Sequence, residues 1–311
     1  MKTLPYSVPE RSRIRVIIST DAKNEADDQY AIAYALMSPK LDVVGIIGAH
    51  FYEACSMEAS AHYGTPPELT MEKSYEEIKL VLDKMGLSSQ VPALRGSALP
   101  LKDEKTPQDS EGARFIIEEA HKPGAPLYVI NLGTITDLAS AYLMDPTISE
   151  GIEACLWLGG GRFPEGGAEF NLENDIAAGN VLMDSTLNVH LLPLNSTAPI
   201  KMTFAEMFCR VYPYGEIGRY LVEQTIDFSS RCPHPLGESW IMWDIAAVAL
   251  LLDPHPQQYF ECNAPRFNVP DMTYVTCERV HPIRVYERIE PRFALEDFYC
   301  KLQLCFDRNP E

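Results

Sequence analysis

A group of acidic residues directly follows the first apolar segment of the chain. Residues 14–18 are mostly β-branched and apolar, and the loop behind them contains Asp21, Asp27 and Asp28. Carboxylates this close repel one another unless a cation or the hydroxyl groups of a sugar lie between them. Such oxygen ligands suit Ca²⁺ or Mg²⁺ and suit zinc or copper poorly. A helix start that collects acids for capping is the alternative. One acid would suffice for capping, so the loop predicts a cation or sugar site.

Further polar residues stand beside later apolar segments. Glu169 and Asn171 lie in a Gly-rich loop, and loops often carry binding residues. Asp244 precedes the apolar helical segment 245–252 and could either bind a ligand or simply cap that helix. Asp175 is better interpreted as a helix cap than as a ligand. Which of these side chains meet in space depends on the elements that carry them.

The predicted elements alternate between strand and helix. A short β-branched run is typical of a buried parallel strand, and the helical segment 30–37 followed by a strand at 43–47 forms a βαβ unit. Further strands are predicted at 127–130, 156–158 and 189–192, and further helices at 71–85, 136–144 and 175–183. This alternation predicts an α/β fold with an open, mostly parallel sheet covered by helices on both faces. Ligands bind such sheets at the carboxyl ends of the strands.

One domain is predicted for residues 1–311, because no Gly- or Ser-rich linker divides the chain. The alternation of strands and helices occupies a core of about residues 14–252. In residues 253–311 the composition shifts to short strands, at 274–275 and 283–286, and a final helix. We interpret this segment as a C-terminal extension of the same domain.

The charge balance excludes several classes of partner. The chain has 44 Asp plus Glu against 26 Lys plus Arg, a formal net charge of −18, whereas binding nucleic acid polymers or anionic membranes needs clustered Lys and Arg. No apolar run approaches the roughly 20 residues that span a bilayer, and the polar start lacks the apolar region of a secretory signal. The 8 cysteines include no Cys-x-x-Cys pair. This pattern indicates free, buried thiols in a reducing, cytoplasmic environment.

The order of the motifs resembles that of the inosine-uridine-type nucleoside hydrolases, which are calcium-dependent N-ribosidases with a Rossmann-like core. The resemblance rests on four segments, namely the acidic loop 19–28, the turn 131–137, the motif at 169–171 and the helix start at 243–244. It implies the nucleoside hydrolase fold and hydrolysis of the N-glycosidic bond of a nucleoside or related ribosyl compound. It also implies a Ca²⁺ cofactor and a homo-oligomer.

The resemblance assigns a metal site. Asp21 and Asp28 would bind calcium through their side chains, and the Leu132 carbonyl and Asp244 would supply the other protein ligands. Calcium could hold the attacking water and both ribose hydroxyls, which would lower the pKa of the water and fix its approach. Asp21 would then act as the catalytic base that takes the proton from this water.

The resemblance also assigns substrate-binding residues. Asp27 would hold the ribose 2′-hydroxyl, and Glu169 and Asn171 would bind the ribose toward its 5′ side. The acidic loop departs from the family pattern, because it begins with serine, lacks a Pro-Gly pair and is two residues longer. This longer loop carries Asn24 and Glu25 into the pocket region, and Asn24 is predicted to contact the substrate.

The group that protonates the departing base is also different. Trp243 stands where many members of the family have a histidine for this purpose, and its indole N–H does not titrate usefully. Trp243 could instead stack on a nucleobase. His50, which follows the second strand, and His234, in a later loop, are the remaining histidine candidates. His50 is better placed by topology and is predicted to be catalytic.

Three functions are compatible with these residues. The leading hypothesis is a calcium-dependent N-ribosyl hydrolase. The longer loop and Trp243 leave open a hydrolase of a different sugar conjugate. The third possibility is a non-catalytic, calcium-dependent protein that binds nucleosides or sugars. It would keep the acidic residues and lack the group that protonates the departing base. A small-molecule substrate, rather than a nucleic acid polymer or a membrane, is the partner in all three cases.

Overall fold

A central β-sheet organises the chain. The computed structural model describes residues 1–53, 65–231, 237–253, 255, 257–278 and 281–309. The strands are β1 (Ile14–Thr20), β2 (Leu41–Gly48), β3 (Ala93–Arg95), β4 (Leu127–Asn131), β5 (Ile152–Leu158), β6 (Val189–Leu192), β7 (Lys201–Thr203), β8 (Ser239–Ile241), β9 (Gln258–Asn263), β10 (Arg266–Phe267), β11 (Tyr274–Val275) and β12 (Pro282–Arg288).

Helices connect most of these strands. They are α1 (Asp28–Leu36), α2 (Thr70–Met85), α3 (Glu111–Ala120), α4 (Thr136–Met144), α5 (Phe170–Asn174), α6 (Ile176–Asp184), α7 (Leu194–Thr197), α8 (Phe204–Glu206), α9 (Gly215–Arg231), α10 (Ile245–Leu252) and α11 (Pro291–Cys305). Short 3₁₀ turns cover Glu10–Ser12, Pro67–Leu69 and Pro146–Glu150, and a π turn covers Met207–Val211.

The strand order creates a crevice beside the central strand. Within the described ranges, eight strands form one sheet in the order β3-β2-β1-β4-β5-β6-β12-β9. All neighbouring pairs are parallel except the edge pair of β12 with β9. The chain runs outward from β1 through β2 to β3 and then returns to β4 on the other side of β1. Connections at the carboxyl ends of β1 and β4 therefore diverge, and ligands bind at such points. The predicted Rossmann-like α/β fold is confirmed.

The sheet is buried on both faces, which explains its apolar strand sequences. In β1, Val16 and Ile18 face a core shared with α1, α2 and α10, whereas Ile17 faces a second core shared with α3, α4 and α6. Successive side chains of a strand point to opposite faces, so a strand covered on both sides is a continuous apolar run. This packing holds α1, and with it Asp28, above the carboxyl end of β1.

The segment interpreted as a C-terminal extension adds strands to the same sheet. Strand β12 pairs with β6, and β9 pairs with β12. Helix α11 packs on α1, where the ring of Phe298 lies 5.6 Å from that of Tyr30 and 5.9 Å from that of Tyr34. The segment thus helps to hold the helix that begins at Asp28.

Two further predictions concern the cysteines and the membrane. The described cysteines have free thiols, as predicted, but they are not all buried, because Cys209 and Cys300 are exposed; Cys55 and Cys232 lie outside the described residues. Among the described helices, none combines the length and the apolar character that crossing a bilayer requires.

Candidate active site

A cleft opens at the carboxyl ends of β1, β4 and β5. It encloses about 540 Å³ of space between its walls, including open solvent at its mouth. The lining residues are Asp21, Asn24, Glu25, Asp27, Asp28, Leu132, Leu158, Gly159, Glu169, Phe170, Asn171, Leu194, Trp243 and Asp244. The structure therefore brings together every site residue predicted from the sequence except His50.

Three carboxylates converge on one point of the cleft. One side-chain oxygen from each of Asp27, Asp28 and Asp244 lies within 4.8 Å of the other two. These residues are 2%, 2% and 4% exposed, and Asp21, 1% exposed, lines the same cleft. The sequence-based assignment placed Asp21 among the metal ligands and Asp27 on the ribose. In the structure the three converging carboxylates are those of Asp27, Asp28 and Asp244, and Asp21 is not one of them.

Helix capping does not account for these acids. Asp27 and Asp244 occupy the N-cap positions of α1 and α10, yet neither side chain makes a capping hydrogen bond. Asp27 Oδ2 instead accepts a hydrogen bond from the backbone N–H of Asp244 (3.1 Å), which ties the two helix starts together. Asp175 is different, because its side chain accepts a hydrogen bond from the Ala178 N–H and caps α6, as predicted. The carboxylates of Asp27 and Asp244 are thus directed into the cleft.

The electrostatics of the cleft favour a bound cation. Burial raises the pKa of Asp28 to about 6. Burial and then repulsion from neighbouring carboxylates hold the pKa values of Asp21, Asp27 and Asp244 well above their usual range. Among the described lining residues no side chain is cationic. Hard oxygen donors whose ionised forms repel one another match the preferences of a divalent cation such as Ca²⁺ or Mg²⁺.

The backbone of the turn after β4 approaches the acidic loop closely. A Cβ atom at Gly133 would lie 2.9 Å from both the backbone N and the carboxylate carbon of Asp21, so this position needs glycine. The neighbouring Leu132 carbonyl lines the cleft and accepts a hydrogen bond from Asn171 Nδ2 (2.7 Å). The same amide nitrogen donates to the Leu158 carbonyl (2.9 Å). Because a carbonyl oxygen has two lone pairs, the Leu132 oxygen retains the capacity to bind an ion.

Glu169 has a structural function besides its predicted ribose contact. It is the N-cap of α5, and its carboxylate accepts hydrogen bonds from the backbone N–H groups of Gly160 (2.8 Å), Asn171 (3.0 Å) and Leu172 (3.0 Å). These contacts fix the loop that follows β5. A carboxylate has about four acceptor sites, so Glu169 can still accept a hydrogen bond from a ligand in the cleft.

His50 is not among the residues that line the cleft. Its ring is buried, and its Nδ1 accepts a hydrogen bond from the Tyr52 N–H (3.3 Å). This assigns the proton to Nε2, which lies 2.9 Å from Thr136 Oγ1, and the Thr136 hydroxyl donates to Asp175. Burial lowers the pKa of His50 to about 3. The structure therefore does not place His50 to protonate a leaving group, and His234 lies outside the described residues.

The cleft has a polar floor and a more apolar rim. We call Asp21, Asn24, Asp27, Asp28, Glu169, Asn171 and Asp244 the floor, because all seven line the cleft and are buried. We call Glu25, Phe170, Leu194 and Trp243 the rim, because these lining side chains are partly exposed to solvent. Sequence reasoning did not single out Phe170 or Leu194 as contacts, since a lone apolar residue beside a loop usually belongs to the core.

A buried carboxylate outside the cleft anchors the acidic loop. Glu77 of α2 is 4% exposed and pairs with Lys23 of that loop (3.1 Å). It also accepts hydrogen bonds from Gln29 of α1 (3.1 Å) and from the hydroxyl of Tyr220 of α9. Sequence reasoning missed Glu77, because nothing in its local pattern distinguishes it from the other charged residues of α2.

Replacing Glu77 by alanine is expected to lower the free energy of unfolding by about 2–4 kcal/mol, because the change removes the acceptor shared by an ammonium, an amide and a hydroxyl group. Urea unfolding measures the effect. Glu76→Ala is the matched control, since Glu76 is an exposed neighbour on the same helix that pairs with Lys79 at the surface. We expect less than about 0.5 kcal/mol from the control. Equal effects of the two changes would contradict the anchoring function of Glu77.

Comparisons with known sequences match most of the chain to one family. The family model described as "Inosine-uridine preferring nucleoside hydrolase" matches residues 16–288. "Probable uridine nucleosidase 2" of Arabidopsis thaliana is 25% identical over 229 residues, which cover 67% of this chain and 68% of that protein. The protein of the same name from Oryza sativa subsp. japonica is 24% identical over 221 residues, which cover 62% of this chain and 60% of the relative.

Solved structures show the same fold. A purine-preferring ribonucleoside hydrolase from Gardnerella vaginalis superposes with a TM-score of 0.75 at 20% identity, over 94% of this chain and 99% of the other. A plant nucleoside hydrolase superposes with a TM-score of 0.74 at 17% identity, over 93% of this chain and 98% of the other. At these identities the likeness establishes the fold.

Proposed function

Because the chain belongs to the inosine-uridine preferring nucleoside hydrolase family, it is an N-ribosyl hydrolase, and we propose that it hydrolyses nucleosides in the cleft at the carboxyl ends of β1, β4 and β5 with the help of Ca²⁺. The observation that carries this proposal is the convergence of the buried carboxylates of Asp27, Asp28 and Asp244. Uridine is the first candidate substrate, since the plant relatives are named uridine nucleosidases.

The residues of the floor fit a calcium ion. Asp21, Asp28 and Asp244 and the Leu132 carbonyl would hold it, with the oxygen of Asp27 beside the same position. When bound, the ion supplies positive charge that offsets the carboxylates, lowers the pKa of the attacking water and orients the ribose hydroxyls. The choice of calcium rests on the hard oxygen donors and on their number, which exceeds what Mg²⁺ usually takes from protein.

The chain's own residues supply the remaining chemistry. Asp21 takes the proton of the water that attacks C1′, since its carboxylate lies at the buried floor of the cleft. Asp27, Glu169 and Asn171 bind the ribose, whose hydroxyls need acceptors and donors at the buried floor. Positive charge develops on the sugar ring as the N-glycosidic bond breaks, and the negative floor stabilises it. The base lies against the rim, where Trp243 offers an aromatic face.

A nucleoside panel tests the proposal. The purified protein is incubated with uridine, inosine, cytidine, adenosine and guanosine, and free ribose is assayed with calcium and with a chelator. We expect calcium-dependent release of ribose from at least one nucleoside. Binding of a nucleoside without turnover would instead identify a non-catalytic binding protein. Turnover confined to other sugar conjugates would identify a different substrate class.

A cytoplasmic location and a homo-oligomeric state also stay predictions. The free thiols of the described cysteines are compatible with the first. The resemblance to the family motivates the second, and the molar mass of the protein in solution, measured by light scattering, tests it.

A further inference from the structure

The rim of the cleft combines two aromatic side chains with one carboxylate. Phe170 and Trp243 are partly exposed, line the cleft and offer flat apolar surfaces to a heterocycle. Glu25 is the remaining polar residue of the rim. An aromatic face next to a carboxylate attracts a positively charged ring more strongly than a neutral one.

The charge of the whole cleft points in the same direction. Six carboxyl groups line it, those of Asp21, Glu25, Asp27, Asp28, Glu169 and Asp244. None of the described lining residues carries a cationic side chain. A cleft lined by charge of one sign raises the local concentration of ligands of the opposite sign. A single divalent ion at the floor offsets two of these charges and leaves the rim carboxylate.

The proton inventory of the cleft adds an independent argument. A neutral base departs with the electron pair of the N-glycosidic bond and must be protonated as it leaves. The described part of the lining contains no histidine, lysine, arginine, tyrosine or cysteine, and the Trp243 indole does not titrate usefully, so carboxyl groups are the only titratable groups of the described lining that could donate this proton. A heterocycle that is already cationic leaves as a neutral molecule and needs no donor.

We propose that the preferred substrates of this cleft are ribosides whose base carries a permanent positive charge, an N-ribosylpyridinium or an N7-alkylated purine riboside. This inference rests on the proposed N-ribosyl hydrolase function. In the step, water forms a bond to C1′ while the C1′–N bond breaks, and the electron pair of that bond neutralises the cationic ring. The proton released by the water passes to a floor carboxylate and then to solvent. The products are ribose and a neutral heterocycle.

Matched substrate pairs test the proposal. The first pair is 7-methylguanosine and guanosine, which differ by one methyl group and one charge, and the second is nicotinamide riboside and uridine. Because cationic ribosides are intrinsically more labile, each kcat/KM is divided by the rate of the uncatalysed reaction. We expect a preference of about tenfold or more for the cationic member of at least one pair. The preference should fall as salt is raised, because screening weakens attraction between charges. The two pairs distinguish a pyridinium site from a purinium site.

The variant Glu25→Gln separates attraction from proton donation. We expect it to raise KM for the cationic substrate about tenfold and to change kcat/KM for the neutral partner clearly less. The matched control is Glu165→Gln, an exposed glutamate in the loop after β5 that does not line the cleft. Loss of guanosine turnover with unchanged 7-methylguanosine turnover would overturn the proposal, because Glu25 would then be the proton donor for neutral bases.

Two other outcomes would also overturn it. Turnover of neutral nucleosides without a preference for the cationic partners would exclude the proposed substrate class and leave the N-ribosyl hydrolase function intact. Absence of ribose release from every riboside, cationic or neutral, with calcium bound, would exclude the proposed function and this inference together.

Discussion

Replacing Asp28 by asparagine is expected to lower kcat/KM for the best nucleoside substrate by about 1,000-fold. Asp28 is buried at the first turn of α1, and its carboxylate belongs to the group that converges with Asp27 and Asp244. Asparagine keeps the volume of the side chain and removes the charge that a divalent cation needs. Mutating a residue that hydrogen-bonds to a metal ligand typically lowers metal affinity or activity 10–100-fold. Removing the charge of a ligand itself should therefore lower activity further. Steady-state ribose release at saturating calcium measures the effect.

The stability of this variant is the internal check. Because Asp28 is repelled by other carboxylates in the metal-free cleft, we expect Asp28→Asn to keep or raise the melting temperature in chelator. The matched control is Asp83→Asn, which removes the same charge from an exposed position on α2 and should leave turnover within about twofold. Full turnover by Asp28→Asn would contradict the assignment of the cleft. A variant that unfolds in chelator would show that Asp28 is primarily structural.

The second large effect concerns pH, calcium and stability. In the protein without metal, burial raises the pKa of Asp28 to about 6, and burial with neighbouring charges raises that of Glu25 to about 7. The folded chain then binds more protons than the unfolded chain between about pH 4 and pH 7, so stability falls as the pH rises through this window. Calcium competes with those protons, and its binding strengthens as they leave.

Thermal unfolding at pH 5.5 and pH 8 measures this linkage. Excess calcium is expected to raise the melting temperature by about 5 °C or more at pH 8 and by clearly less at pH 5.5, since a ligand at 100 times its Kd adds about 2.7 kcal/mol. In chelator the protein is expected to melt at a higher temperature at pH 5.5 than at pH 8, because protonation of the cleft carboxyl groups stabilises the folded chain. If calcium raised the melting temperature equally at both pH values, the result would contradict competition between calcium and protons for these carboxylates.

The fold could be predicted where strands and helices have their own periodic pattern. The helix Thr136–Met144 and the strand Val189–Leu192 lie at their predicted positions, because both are rich in apolar residues and largely buried. Strand β3 and edge strand β9 were not predicted. β3 is three residues long, and β9 is largely exposed, so each is a strand mainly because its neighbour in the sheet pairs with it.

The part of the candidate site that follows β1, β4 and β5 could be predicted because parallel strands end at one edge of the sheet, whereas Asp244 follows β8, which pairs with β7 outside that sheet. Which of the carboxylates come together at one point could not be predicted from the sequence. Asp27 joins Asp28 and Asp244 because it occupies the N-cap position of α1 and hydrogen-bonds to the start of α10. Contacts such as Gln29 with Glu77 link segments 48 residues apart, and no local pattern in the sequence signals them. The burial that makes His50 neutral likewise arises from tertiary packing.

The proposed function depends most directly on calcium at the carboxylates of the cleft. The chelated protein should be titrated with calcium chloride while calcium binding and ribose release are both measured, for the wild type and for Asp28→Asn. We predict that the wild type binds one calcium ion per chain in the cleft and gains turnover in proportion to its occupancy. The variant should lose both responses. Full ribose release in chelator, or calcium bound by the variant as tightly as by the wild type, would contradict the account.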